Sequence, residues 1–272
     1  MMRFLSAYFV PANMVVAVSG DIQQDRVRQT LDRFISGLPA SLPPPRQIAA
    51  PADTPPGVTL VHKPGQVQSR VVAVLPGITR ASPEFWKLNL LMSVFGGNDS
   101  LMYTRLRDDL GYVYSAGFYQ TAKWQAGLLV GVIGCKGDKA AEAILETVTI
   151  MTSLHRGIPD RELELKRLDT LNSFVFNVDT KAELVQAYSR YALRQEPLDT
   201  LGRIQDAYFT GTREELQKIA LRLLDPRNFQ IVVVADKTIA VPKADGRQTM
   251  LADDLKAMAQ TLGLPFREMA LR

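Results

Sequence analysis

Two stretches of this chain, FVPANMVVAVSGD and LDPRNFQIVVVAD, align without a gap. Pro11 falls on Pro226, Asn13 on Asn228 and Asp21 on Asp236, a constant offset of 215 residues. In each copy a Pro-x-Asn turn interrupts an amphipathic segment and releases a β-branched run that ends at an aspartate. That order predicts a helix, a tight turn and a buried strand. A further helix follows each time: Ile22, Val27, Leu31, Phe34 and Ile35 recur at helical spacing after the first copy, and LADDLKAMAQTLGL behaves similarly after the second. A repeat this long sets the unit of folding. Almost nothing of that unit stands before Pro11, so the expectation is a chain that starts inside a repeat and is part of a longer protein. The competing reading is two unrelated strand-turn segments, which would appear as different folds around Pro11 and Pro226.

Between the copies lies LPASLPPPRQIAAPADTPPG, whose proline and alanine content favours extended backbone and marks a boundary. The expected division is residues 1–40 as the C-terminal remnant of a first half, 41–57 as linker and 58–272 as a complete second half. In that second half VTLVHK and SRVVAVLPG read as strands. SPEFWKLNLLMSVFGG reads as a helix capped by Ser82, with Pro83 in its first turn and Phe85, Leu88, Leu91 and Phe95 on one face. A second helix, DSLMYTRLRDDLG, stops at Gly111, and YVYSAGFYQ and AGLLVGVIGC read as paired strands around TAKWQ. Five helical segments and the second-copy strand follow. Strands, a helix pair, strands, many helices and a strand predict an α+β fold, a mixed or antiparallel sheet backed by a layer of helices.

Much chemistry is excluded on residue types alone. The two histidines, His62 and His155, have no second histidine nearby, and with the single Cys135 they assemble no zinc cluster of ordinary spacing. His62 is expected at a strand end and His155 near a helix C-terminus, where the dipole suits an imidazolium. GCKG lacks the spacing of a phosphate loop, and there is no G-x-S-x-G elbow. Cys135, at the end of an apolar strand, is expected to be a buried, inert thiol. A net charge of +4 is spread through segments such as RLRDDL and DRELELKRLD, the interleaving of a solvated helix face rather than a nucleic-acid surface. No apolar run has the length of a membrane span.

At FGGNDSLMYTRLRDDLGYVYSAG the chain resembles the insulinase/pitrilysin family of zinc metallopeptidases, in the subgroup with two homologous halves that includes mitochondrial processing peptidase and its bacterial relatives. Gly96 and Gly97, Ser100 opening the next helix, then Leu106, Arg107 and Asp108, followed by Gly111, Tyr114 and Ser115, carry the resemblance. It implies two halves closing around an unfolded peptide that binds as an added strand, the first half holding zinc through H-x-x-E-H and a distal glutamate. That motif is absent from the sequence. The resemblance therefore implies no catalytic residue in this chain and zinc in a metal-bearing half, in cis or on a homologous zinc-bearing subunit. For a bacterial member it implies the periplasm.

In such a family the second half reaches the bound peptide with an arginine and a tyrosine seven residues apart, which Arg107 and Tyr114 match. The guanidinium would supply fixed donors to peptide carbonyls, and the phenol a donor to the developing oxyanion. Gly96, Gly97 and Ser100 are candidate loop contacts. Without the resemblance, Arg107 reads as a cation on a solvated helix and Tyr114 as a half-buried strand residue. One departure is Leu101, where an arginine commonly follows the helix-opening serine, and the glycine-rich loop is short. The implied function is the substrate-clamping part of a zinc endopeptidase acting on peptides or unfolded segments. The alternatives are a non-catalytic partner or scaffold subunit of the same family, or an unrelated α+β binding module.

Overall fold

The computed structural model describes residues 1–44, 54–123, 125–175 and 178–270. The chain divides into two compact units, Met1–Pro51 with Leu171–Gln205 and Ala52–Thr170 with Asp206–Arg272. Residues 45–53 of the expected linker and Trp124 of the expected turn lie outside the described residues.

The second unit is built on a six-stranded sheet. Its strands are β1 (Gly57–His62), β2 (Gln68–Pro76), β3 (Val113–Ala122), β4 (Gly127–Lys136), β5 (Gln230–Ala235) and, after the small hairpin of β6 (Ala240–Pro242) and β7 (Gln248–Met250), β8 (Phe266–Ala270). They stand in the order β3-β4-β2-β5-β1-β8. β1 is parallel to β5 and β8, and the other pairs are antiparallel. Alternation along the strands decides the buried face. Val58 and Leu60, Val71 and Leu75, Leu129 and Ile133, and Ile231 and Val233 are all at most 2% exposed. Each such side chain withdrawn from water contributes about 1.5–3 kcal/mol. The hairpin and β8 have no counterpart in the sequence reading; short three- and five-residue strands leave too few residues for a period to register.

The helices of the two units, in chain order, are α1 (Met2–Tyr8), α2 (Gln24–Ser36), α3 (Phe85–Gly96), α4 (Leu101–Tyr103), α5 (Ala140–Ser153), α6 (Asp160–Val175), α7 (Lys181–Leu193), α8 (Thr200–Thr210), α9 (Arg213–Leu223) and α10 (Leu251–Thr261). α3 packs on β3 and α9, α5 on β2 and β4, and α10 on β1, β8 and α5. α3 begins later than Ser82 predicts. The Ser82 hydroxyl accepts from the Glu84 N–H at 3.4 Å, closing a local turn before the helix starts at Phe85. Besides the expected face, Leu90, Met92 and Val94 are buried, because this helix lies between a strand and another helix.

The first unit departs from expectation at its strand. Pro11–Asn13 forms the predicted turn, one 3-10 turn, and α2 forms as predicted. Residues 14–19 join no sheet among the described residues, and Val15, Val16 and Val18 are 40%, 50% and 49% exposed. A β-branched run needs a neighbouring strand to satisfy its amides and cover its side chains, and none of the described residues offers one.

Candidate functional site

The segment from α3 to β3 carries every residue expected from sequence to meet a peptide. α3 ends at Gly96, where a side chain has no room. A Cβ would stand 2.6 Å from the Phe118 carbonyl oxygen and 2.8 Å from its Cα. This close approach seats Phe95 on Phe118, with ring centroids 5.1 Å apart, and Phe118 in turn against Phe229 at 6.3 Å. Gly97 is similarly close, its Cβ position 3.1 Å from the Ser93 carbonyl oxygen. Asp99 then takes a left-handed conformation at φ 50, which short polar residues tolerate. Ser100 is 2% exposed, and its hydroxyl accepts from the Tyr103 N–H at 3.2 Å. Gly96 and Ser100 thus lie inside the fold, as a packing contact and a helix cap.

The helix that Ser100 opens widens after one turn into a π-helical stretch, Thr104–Asp109. Met102 and Leu106 are fully buried and hold this segment down. Arg105 ties it to α5 through Glu146 at 2.7 Å and to its own turn through Asp109 at 3.4 Å. Those two carboxylates, Glu146 first, raise the Arg105 pKa above its ordinary value. Gly111 at φ 61 ends the helix, with its N–H bonded to the Arg107 carbonyl at 3.1 Å and the Tyr112 N–H bonded to the Leu106 carbonyl at 2.9 Å. Arg107 therefore projects from a widened turn, a form that recurs at functional sites.

Tyr114 owes its position to a second irregularity. Val113 pairs with Cys135 and Ser115 with Gly134, so Tyr114 is the extra residue of a β-bulge. The bulge resets the alternation: Val113 and Phe118, five residues apart, are both buried, which a regular strand forbids. Tyr114 is turned outward, 50% exposed, and its carbonyl accepts from Arg107 Nη1. The guanidinium carbon also lies 5.7 Å from the centroid of the Tyr103 ring. The sequence pair is thus joined through the backbone, the Arg107 guanidinium on the Tyr114 carbonyl, with both residues exposed beside a strand at the sheet's margin. Such a pair can donate hydrogen bonds to carbonyl or carboxylate oxygens.

No other chemistry assembles nearby. Among the described residues no group of three or more His, Cys, Asp or Glu could hold a metal ion. His62 ends β1 as expected, and its Nδ1 accepts from the Lys237 N–H at 3.2 Å. His155 follows α5, and its Nε2 is 3.0 Å from the Leu224 carbonyl oxygen. Cys135 is buried, and burial, aided by the charge of Asp138, pushes its thiol up to about 12. No helix among the described residues is long and apolar enough to cross a membrane. The bulge and the π-helical stretch are not legible in the sequence alone. Only the odd spacing of Val113 and Phe118 could have exposed the first, and no local signal marks the second.

Known proteins share this architecture. An uncharacterized zinc protease of Streptomyces coelicolor is 24% identical over 151 residues, spanning 52% of this chain and 32% of that protein. A crystal structure of a peptidase M16 inactive domain from Pseudomonas fluorescens is similar with a TM-score of 0.73 at 17% identity, over 86% of this chain and 56% of that one. A chain of complex III from Candida albicans is similar with a TM-score of 0.69 at 12% identity, over 98% of this chain and 62% of that one. The chain thus spans about a third of the curated relative and between half and two thirds of these structures. Residues 1–168 match the family described as the peptidase M16 inactive domain, and the chain belongs to that family.

Proposed function

We propose that this chain is the substrate-clamping, non-metal part of a zinc metalloendopeptidase, and that Arg107 and Tyr114 hold an extended peptide whose scissile bond meets zinc in a homologous metal-bearing half. The observation that carries the reading is the convergence of a π-helical stretch and a β-bulge on one exposed Arg-Tyr pair. Regular structure would have placed neither group so. The absence of H-x-x-E-H from the sequence, and of a metal-ligand cluster among the described residues, supports a metal held in another half. The peptide would add along the unpaired side of β3, where main-chain bonds give affinity independent of side chains.

The test is peptide turnover by the protein purified from its source cells. Arg107→Ala and Tyr114→Phe are each expected to lower kcat/KM on an unfolded peptide by about 100-fold, the loss typical of one donor to a developing oxyanion. Zinc content and melting temperature should stay unchanged. Turnover equal to wild type in both variants would remove the pair from the mechanism.

A second reading, a non-catalytic scaffold subunit, draws support from the likeness to the complex III chain along nearly all of this one. It predicts that both variants are silent in any peptide assay and that the protein's removal disrupts an assembly instead.

A further inference from the structure

The alternation that buries Val58, Val71, Leu129 and Ile231 turns the residues between them to the other face of the sheet. That face is apolar along its middle. Val72, Val74, Val130, Val132 and Val234 are half-buried, and Val232 is 40% exposed. Its charged residues are Arg70 on β2, Lys136 on β4 and Arg267 on β8. The six strands contain one carboxylate, Glu268, which stands beside the buried Leu60 and so falls on the opposite face.

The register gathers hydrogen-bond donors at one corner of this face. Gly134 stands opposite Ser115 on β3 and opposite Arg70 on β2, and Lys136 stands opposite Gln68. Arg70 and Lys136 are thus diagonal neighbours, about 7–8 Å apart at their Cα atoms. A Cβ on Gly134 would meet the Ser115 Oγ at 2.9 Å and, its chain neighbours aside, no other atom within 4 Å. The missing side chain leaves a bare spot with a hydroxyl on its rim. Arg70, Lys136 and Ser115 are exposed, and none of their side chains has a hydrogen-bond or ion-pair partner among the described residues. Tyr114, next to Ser115, brings the Arg107 guanidinium to the same corner.

Two ordinary reasons for surface cations do not apply. Lysine on an edge strand deters a second sheet from pairing, but β2 and β4 are interior strands. Elsewhere an acid answers the cation, as Glu268 answers Lys237 at 3.2 Å, whereas this face holds no acid. Two cations and a hydroxyl can together donate to both oxygens of a carboxylate.

We infer that Arg70, Lys136 and Ser115 form a carboxylate-binding subsite around Gly134, which selects peptides carrying a glutamate beside the residues held by Arg107 and Tyr114. The inference deepens the clamp reading and rests on it for the peptide's place. A strand added to β3 sets alternate side chains over this face, where the valines take apolar neighbours and the subsite takes the acid. Two and three strand spacings of about 4.8 Å separate such a strand from Lys136 and Arg70, spans that a long cation and a glutamate close together. In the clamp reading the chain continues on both sides of the held bond, so the carboxylate is a side chain's.

Fluorescence anisotropy tests it on the protein purified from its source cells with whatever it is joined to, under a chelator so that no turnover intervenes. The probes are two dye-labelled, terminally capped peptides of valine, threonine and serine that differ in a single glutamate or glutamine. The glutamate peptide should bind about 10-fold more tightly, the worth of one charge-assisted bond, and its advantage should shrink as salt rises. Arg70→Gln and Lys136→Gln together should erase the advantage and leave the glutamine peptide's affinity and the melting temperature unchanged. Arg107→Ala should weaken both peptides equally. Equal affinities in wild type would overturn the inference, as would no binding of the glutamate peptide or an advantage that survives the double substitution. An advantage that appears only when the peptide's C-terminus is left free would overturn it too, by making a chain end the occupant. Equal affinities that Arg107→Ala still weakens remove the subsite and leave the clamp. If Arg107→Ala changes neither peptide while the double substitution erases the advantage, the clamp fails and the subsite stands without it.

Discussion

Replacing Gly96 by alanine separates a packing role from a peptide-contact role. Two opposing terms set its size. Alanine favours a helix over glycine by up to about 1 kcal/mol, and less at the final residue of α3. Against this, the new methyl would stand 2.6 Å from the Phe118 carbonyl oxygen and 2.8 Å from its Cα, both main-chain atoms in a paired strand that cannot swing away. Overpacking of this kind costs about 1–3 kcal/mol, and contact with backbone rather than with a flexible side chain argues for the upper part of that range. The net expectation is a loss of about 2 kcal/mol. For a domain of this size that lowers the melting temperature by about 4–8 °C. Urea denaturation followed by tyrosine and tryptophan fluorescence, with calorimetry, measures both quantities. Peptide turnover should fall only in proportion to the unfolded fraction. An alanine variant as stable as wild type, or one that keeps its stability and loses peptide affinity, would refute the packing argument and return Gly96 to the binding surface.

Other outcomes follow from single contacts. Thr212→Ala removes the hydroxyl that accepts the Glu215 N–H in the capping box of α9 and should cost about 1 kcal/mol in chemical denaturation. Cys135 should resist a thiol reagent at pH 8 in the folded protein and react fully once urea unfolds it, since burial holds its pKa near 12; labelling at a free-thiol rate without denaturant would contradict this. The Asp236 carboxyl is held down to about 2 by bonds from the Thr238 N–H and hydroxyl and the Gly65 N–H. Its contribution is complete above the ordinary aspartate pKa of about 4 and lost as pH falls towards 2. The melting-temperature gap between wild type and Asp236→Ala should therefore be constant above about pH 5 and close on acidification.

Most elements of the second unit are legible in the sequence, for a physical reason. α5, α9 and β2, β4 and β5 bury one face each, so period 3.6 or period 2 is written directly into their apolar residues. α3 is recognisable from one face alone although it is buried nearly all round. The strand expected at residues 14–19 shows the limit of such reading. Its valines encode the wish to be a strand, but a strand exists only where another backbone answers it. At the candidate site Arg107 and Tyr114 stand out by resemblance, while what brings them together leaves no periodic trace. The bulge and the π-helical stretch are departures from periodicity, and a method that reads periods cannot see them until the pairing of Val113 with Cys135 and of Ser115 with Gly134 is known.

The bulge also makes the site separable from the scaffold over evolutionary change. If Tyr114 were deleted, Val113 would still face Cys135 and the next residue would still face Gly134, so the remaining nine residues of β3 would keep their partners and Phe118 its place in the core. A deletion in the regular part of the strand, such as Gly117, instead shifts one part of β3 against β4 and turns its side chains to the other face. A lineage could therefore shed the exposed tyrosine in one step and keep a folded subunit. Loss of the clamp and loss of the fold are different events in this architecture, and a relative with one residue fewer between Val113 and Phe118 should be a stable protein with another occupation.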